Sequence, residues 1–289
     1  MLQMWKQWFS EEGQIWKRIV SLLFVFSLFA LLFFWPYVVI WISGSPMGLR
    51  FWNGGKEGQA LSRYDLQDGT LVRWSSQNAE MNESGSVGEN VTAERRNYCI
   101  VIDAGHGGAD SGKIGCNGAL EKEINLVIAY DLKAELEMLG FTVVMTRTTD
   151  DGLYDEEASN HKMQDLDRRI EIMKEANPWI VVSIHQNSFG DSGVKGCQVF
   201  YYKGSDTGEE LAACIQDAVV EMVQPQNNRP IKENDNYYLL KQSPFPMVIV
   251  ECGFLSNPED ASDLTREDYQ KQMAHAIAEG IIDFWAENQ

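Results

Sequence analysis

A chain of 289 residues with 24 Lys and Arg against 42 Asp and Glu, net charge −18, is long enough for one sizeable core and too acidic to favour a phosphate backbone, so no nucleic-acid partner is expected. The imbalance is local: residues 1–97 carry nine charges of each sign, and residues 98–289 carry 15 basic and 33 acidic side chains. Five cysteines (Cys99, Cys116, Cys197, Cys214, Cys252) form no C-x-x-C pair and are odd in number, which argues against a cysteine zinc site or a dense disulfide framework and leaves free thiols or one bridge.

Taken in chain order, the first element is apolar. No charge falls between Ile19 and Leu49, and residues 19–42 are almost wholly hydrophobic. As a helix at about 1.5 Å per residue they reach roughly 36 Å, enough to cross a membrane with some tilt. Trp16, Trp35, Tyr37 and Trp41 suit the interfaces, Pro36 suits a kink or an early end, and Lys17 and Arg18 favour a cytoplasmic start over residues 1–18. A cleaved signal peptide competes with an uncleaved anchor, but the run is long for one and no A-x-A site follows. Either reading exports everything downstream, so the expected location is a membrane-anchored protein with its downstream domain extracytoplasmic, in the cell envelope. Residues 43–97 read as an extracytoplasmic linker, partly disordered: 75–96 is rich in Ser, Asn, Glu and Gly, while 51–74, with Phe51, Trp52 and Trp74, has room for a strand or two.

From Tyr98 the pattern changes. Apolar β-branched runs at 98–103, 141–146, 180–184, 196–202 and 246–251 alternate with helical patterns near 120–139, 165–177, 207–223 and 268–286. This alternation predicts a single α/β domain over 98–289, with a mostly parallel central sheet flanked by helices. Ligands of such sheets bind beyond the carboxyl ends of the strands.

Three polar residues fall at those ends: His106 after the first strand, His185 ending "IVVSIH", and Glu251 ending "MVIVE". A fourth comes from helix geometry. On the stripe Leu120, Ile124, Ile128, Leu132, Leu136, Leu139, Glu121 falls in the middle and Glu123 away from it. A solvated first-turn carboxylate is the bland reading of Glu121; convergence with two histidines on one sheet edge favours the other. Two histidines and one carboxylate are a set typical of catalytic zinc, with a fourth position open. Glu251 would then take a proton from the attacking water and pass it to the leaving amine, although a turn or cap carboxylate reads equally well in "ECGFLSNPED". The glycines around His106 let the chain turn sharply beside a bound ion. The other two histidines, His161 and His275, are expected in solvent.

In order along the chain, "VIDAGHGG", "GALEKEINL", "VVMTRTTD", "VVSIHQNS" and "VIVECGFLSNPED" resemble the zinc-dependent N-acetylmuramoyl-L-alanine amidases, the Amidase_3 family. The resemblance covers about two thirds of the chain. It implies cleavage of the amide between N-acetylmuramic acid and L-alanine in peptidoglycan, with Zn2+ on His106, Glu121 and His185 and with Glu251 catalytic. It places Arg147, Asn187 and Asn257 near the substrate groove. Cys252 stands where an aliphatic residue is usual; along a strand it should face away from Glu251. Between Tyr202 and Tyr237 there is no room for the inhibitory helix that some relatives insert. "NHKMQDLDRRIEIM" and "NDNYYLLKQSPFPMVIVE" look most like the germination-specific, spore-cortex branch. Peptidoglycan is the implied partner, the membrane is reached through the N-terminal segment, and an activating protein remains open. A different zinc peptidase acting on the stem, or an inactive wall-binding domain, are the competing functions.

Overall fold

The computed structural model describes residues 95–289, together with the backbone of two short strands before them. The expected membrane segment and most of the expected linker lie outside the described residues. Within that linker, β1 (Tyr64–Gln67) and β2 (Thr70–Arg73) pair antiparallel as a hairpin.

The region from residue 95 onward is built on a six-stranded sheet. Its strands are β3 (Cys99–Ala104), β4 (Thr142–Met145), β5 (Ile180–Asn187), β6 (Gln198–Tyr202), β7 (Lys232–Asn234) and β8 (Met247–Phe254). Their order is β4-β3-β5-β8-β6-β7. The first four run parallel, as expected; β6 pairs antiparallel with β8, and β7 parallel with β6. The sheet is thus mixed on one side. The runs that were read as ending at His185 and Glu251 continue to Asn187 and Phe254, so both residues are held within strands and not at their last positions.

Alternation along the strands sorts the two faces. Ile100, Ile102, Ile180, Val182, Ile184, Val248, Val250 and Cys252 point into one core. Helices α1 (Glu121–Met138), α3 (Asp206–Met222), α5 (Pro258–Leu264) and α6 (Glu267–Glu287) cover that face. Helix α6 packs against both α1 and α3. It approaches α3 closely at Gly280, where a Cβ would stand 2.5 Å from the Ile215 Cα, so no larger residue fits there without displacing backbone. The opposite face carries Val101, Val181, Met247 and Ile249 under α2 (His161–Ala176) and the short α4 (Tyr238–Gln242). Helix α2 begins four residues before the expected 165, on an Asn160 cap that accepts from the Met163 amide. No helix among the described residues is long and apolar enough to cross a membrane.

Candidate active site

By the same alternation, Asp103, Ser183, His185 and Glu251 point to the α2 side, along the edge where the parallel strands end. Beyond β3 the chain turns through three consecutive residues of positive φ, His106, Gly107 and Gly108. Gly105 is required there: a Cβ would lie 2.3 Å from the His185 ring. His106 itself adopts φ 62°, the left-handed region that side chains other than glycine's avoid. That costs on the order of 1–3 kcal/mol and persists only where the surroundings over-determine it.

Two buried arginines do so. Arg147 donates Nε to the Ala104 carbonyl (2.8 Å), Nη1 to Thr149 (2.9 Å), and Nη2 to Gly105 (3.0 Å) and Lys122 (2.7 Å). Arg169, on α2, donates Nη1 to the Ala104 carbonyl and Nη2 to the His106 carbonyl, each at 2.7 Å. Arg169 is itself neutralised by Asp103 at 2.7 Å and Asp165 at 2.6 Å. Burial would raise the Asp103 carboxyl, but Arg169 and the Ser183 hydroxyl override it and hold it down at about 2.

The turn aims His106 at Glu121, the first residue of α1. Glu121 is 1% exposed, so it faces inward as its helical position implied. Its Oε2 accepts from the Lys113 amide (2.7 Å) and its Oε1 from the Gln186 amide (3.0 Å). The same Oε1 is 3.2 Å from His106 Nε2 and 2.9 Å from His185 Nδ1. Burial would raise this carboxyl too, yet the two imidazoles hold it well below the usual range.

Among the described residues these three are the one His/Cys/Asp/Glu group arranged to hold an ion, with donor atoms all within 4.8 Å of one another. Ligands about 2.0–2.1 Å from a tetrahedral zinc would stand roughly 3.3 Å apart, close to the contacts seen here. The nitrogen away from the cluster is also accounted for. His106 Nδ1 meets the Asp110 carboxylate at 2.9 Å, a partner that would hold the proton on Nδ1 and leave Nε2 free to bind an ion. The residues therefore fit zinc. Gly112, at φ +66°, closes the cradle: a Cβ there would lie 2.5 Å from Glu121 Oε2 and 2.7 Å from the His106 ring. Asp110→Ala is expected to weaken zinc affinity about 10- to 100-fold, measurable by competition with a chromogenic chelator; unchanged affinity would remove Asp110 from this role.

Glu251 is the cross-strand neighbour of His185. It is 7% exposed, and its Oε2 is buried with no hydrogen-bond partner. Such an oxygen is expensive unless something absent from the resting site completes it. Burial pushes this carboxyl up to about 7, the range of a working general base. A cavity of about 310 Å³ opens beside His106 and His185, walled by Tyr154, His161 and Lys162.

Three expectations change here. Arg147 was placed at the groove, yet four of its five N–H groups are spent on backbone carbonyls; it braces the ligand turn from behind. Asn257 likewise caps α5, its Oδ1 accepting from Glu259 and Asp260 and its Nδ2 donating to Ser192. An asparagine directly before a proline is an N-cap signature, and "SNPED" carried it. His161 is not simply in solvent: it stacks on Tyr154, centroids 4.3 Å apart, at the wall of the cavity. Of the groove set, only Asn187 is half-exposed on an open hollow. Cys252 is fully buried on the face away from Glu251, so it is no competitor for the ion. Asp103, Arg169 and Asp110 are the supporting residues that the sequence reading did not single out.

Known proteins resemble this domain as a whole. The N-acetylmuramoyl-L-alanine amidase family matches residues 100–283. The germination-specific N-acetylmuramoyl-L-alanine amidase of Bacillus subtilis is 33% identical over 191 residues, 65% of this chain and 80% of its own length. The CwlD amidase from Clostridioides difficile, solved in complex with the GerS lipoprotein, superposes with a TM-score of 0.64 at 40% identity, covering 66% of this chain and 100% of that one. AmiC2 of Nostoc punctiforme superposes at 0.57 with 35% identity, covering 65% and 97%. A match over this span, with the donor cluster inside it, means that the chain belongs to the N-acetylmuramoyl-L-alanine amidases, which hydrolyse the amide between N-acetylmuramic acid and L-alanine in peptidoglycan.

Proposed function

We propose that His106, Glu121 and His185 hold a zinc ion and that Glu251 moves the proton in this hydrolysis. The observation that carries the reading is the meeting of three donors at one point beside a buried carboxylate oxygen with no partner. Zinc bound there supplies a Lewis acid for the lactyl carbonyl and lowers the pKa of water towards 7. The chain supplies the rest. Glu251 accepts a proton from the attacking water and returns it to the nitrogen of L-alanine as the C–N bond breaks, so the products are a lactyl carboxylate and a free amine. Asp110 fixes His106, and the arginine brace keeps the turn in its strained form.

The germination-specific relative supports a role in cortex maturation. The lipoprotein bound to the CwlD amidase supports an activating protein for this chain as well. An exported catalytic domain anchored through residues 19–42 rests on the sequence alone. Mass spectrometry of a peptidoglycan digest tests the activity: an amidase releases peptides beginning with L-alanine and leaves the glycan whole, a stem peptidase shortens peptides that stay attached, and a wall-binding domain does neither. Dialysis against a chelator is expected to abolish release more than about 100-fold, with recovery on adding zinc. Full activity in metal-free protein would refute the zinc reading.

A further inference from the structure

We propose that a second groove, flanked by Arg229 and Lys232, binds the free carboxylates of the peptide stem on the leaving-group side of the scissile amide. This rests on the amidase reading and names which part of the substrate the chain selects.

The groove encloses about 350 Å³ and is lined by Asn187, Gln198, Phe200, Arg229, Tyr237 and Phe254, among others. Its position follows from the register. Gln198 is the cross-strand neighbour of Glu251. Asn187 and Phe254 are paired, two residues beyond His185 and three beyond Glu251. At about 3.3 Å per residue, Asn187 and Phe254 stand roughly 7–10 Å along their strands from His185 and Glu251, and Gln198 joins that end of the groove to Glu251. A carboxylate two residues along an extended peptide from the cleaved bond reaches about 7 Å, the same span.

The charge is the second observation. In a domain with 33 acidic and 15 basic residues, cations are outnumbered and most lie against a carboxylate. Lys195 is paired with Glu259, and Lys203 with Glu233. Arg229 and Lys232 make no ion pair among the described residues. Instead they lie over aromatic rings of the groove, Arg229 at 4.6 Å from Phe254 and Lys232 at 5.8 Å from Phe200. Arg229 Nε is buried without a hydrogen-bond partner. A buried guanidinium donor left unmade is costly, and a carboxylate is the group its planar fork matches best.

The loop that presents Arg229 is fixed in place. Gln224 Oε1 accepts from the Cys197 amide (2.6 Å), and Asn227 Nδ2 donates to the Cys197 carbonyl (2.8 Å). The Arg229 amide donates to Asn227 Oδ1 (3.1 Å), and Gln198 Nε2 to the Pro230 carbonyl (2.9 Å). Little ordering therefore remains to be done when an anion arrives. Tyr237 lines the groove. Burial, with Glu251 and Glu121 nearby, pushes its phenol up to about 12, which keeps it a neutral donor.

The test compares two soluble muropeptides that differ only at the second stem residue, one with a free α-carboxylate and one with that group amidated. Wild-type full-length protein is expected to favour the free acid about tenfold or more in kcat/KM, mostly through KM. In Arg229→Gln and in Lys232→Gln the two substrates should converge, and Arg229→Lys should restore part of the preference. Equal losses on both substrates would assign the pair to the glycan or to folding and overturn the proposal, as would no preference in the wild type. Failure to cleave either muropeptide would instead count against the amidase reading itself. Because Arg229 also packs on Phe254, a matched thermal melt of each variant separates lost binding from lost fold.

Discussion

Glu251→Gln is expected to lower kcat by about 10²- to 10⁴-fold with zinc content unchanged, because it removes the group that accepts and returns the proton while leaving the three ligands intact. Retained activity would end the assignment. The pH profile checks the same residue independently. Glu251 must be unprotonated to act as base, and burial places its carboxyl at about 7 without an ion nearby. A cation next to it favours the charged form, so the acid limb of kcat/KM in the zinc form should fall at or below that pH, and this limb should vanish in the residual activity of the variant.

The metal-free protein gives a second reading of the same group. A carboxyl raised in the folded state holds its proton more tightly than the unfolded chain does. Its favourable contribution is complete below the ordinary value of 4.5 and is lost as pH rises through about 7. Chelated wild type should therefore lose on the order of 2 kcal/mol between those limits, and Glu251→Gln should not show that loss. Urea midpoints across the interval measure both. A wild-type stability that climbs with pH in this window would mean that the carboxylate is not desolvated.

Why the cluster of two histidines and a glutamate could be read from the sequence, and its support could not, is a matter of periodicity. Glu251 follows an unbroken apolar run, His185 one interrupted only by Ser183, and Glu121 lies on an apolar helical stripe; each is a polar residue where the pattern demands an apolar one. That conflict is visible in a single chain. Arg169 offers no such conflict, because it is the second of two adjacent arginines on a helix rich in charge, and its partner Asp103 lies 66 residues away. Asp110 sits in a glycine-rich turn without period. The direction of β6 was equally hidden, since alternation reports which face a side chain takes and not which way the strand runs. Strands β5 and β8 run further than expected because polarity was taken as their end. Polar residues at a sheet edge mark the site, and the ladder continues beneath them.

The arginine brace carries the largest expected effect on stability. Arg169→Met is expected to destabilise the domain by about 3–5 kcal/mol, since it leaves Asp103 charged in a fully buried position with only the Ser183 and Thr146 hydroxyls to compensate. For a domain of this size that corresponds to a fall of roughly 10 °C in Tm. The variant should also bind zinc more weakly, because the His106 and Ala104 carbonyls lose the donor that holds the left-handed turn. Asp103→Asn separates the two effects: it removes the ion pair but leaves Arg169 its bonds to both carbonyls and to Asp165, so stability should fall while zinc affinity changes less. The Asp103 carboxyl is held down to about 2 from an ordinary 3.8, so the stability it confers is present above 3.8 and lost only as pH falls through 2. Wild type and Asp103→Asn should consequently differ across the whole neutral range and converge only in strong acid. If both variants lost zinc to the same degree as they lost stability, the turn would be held by the general packing of α2 and not by the guanidinium that spans it.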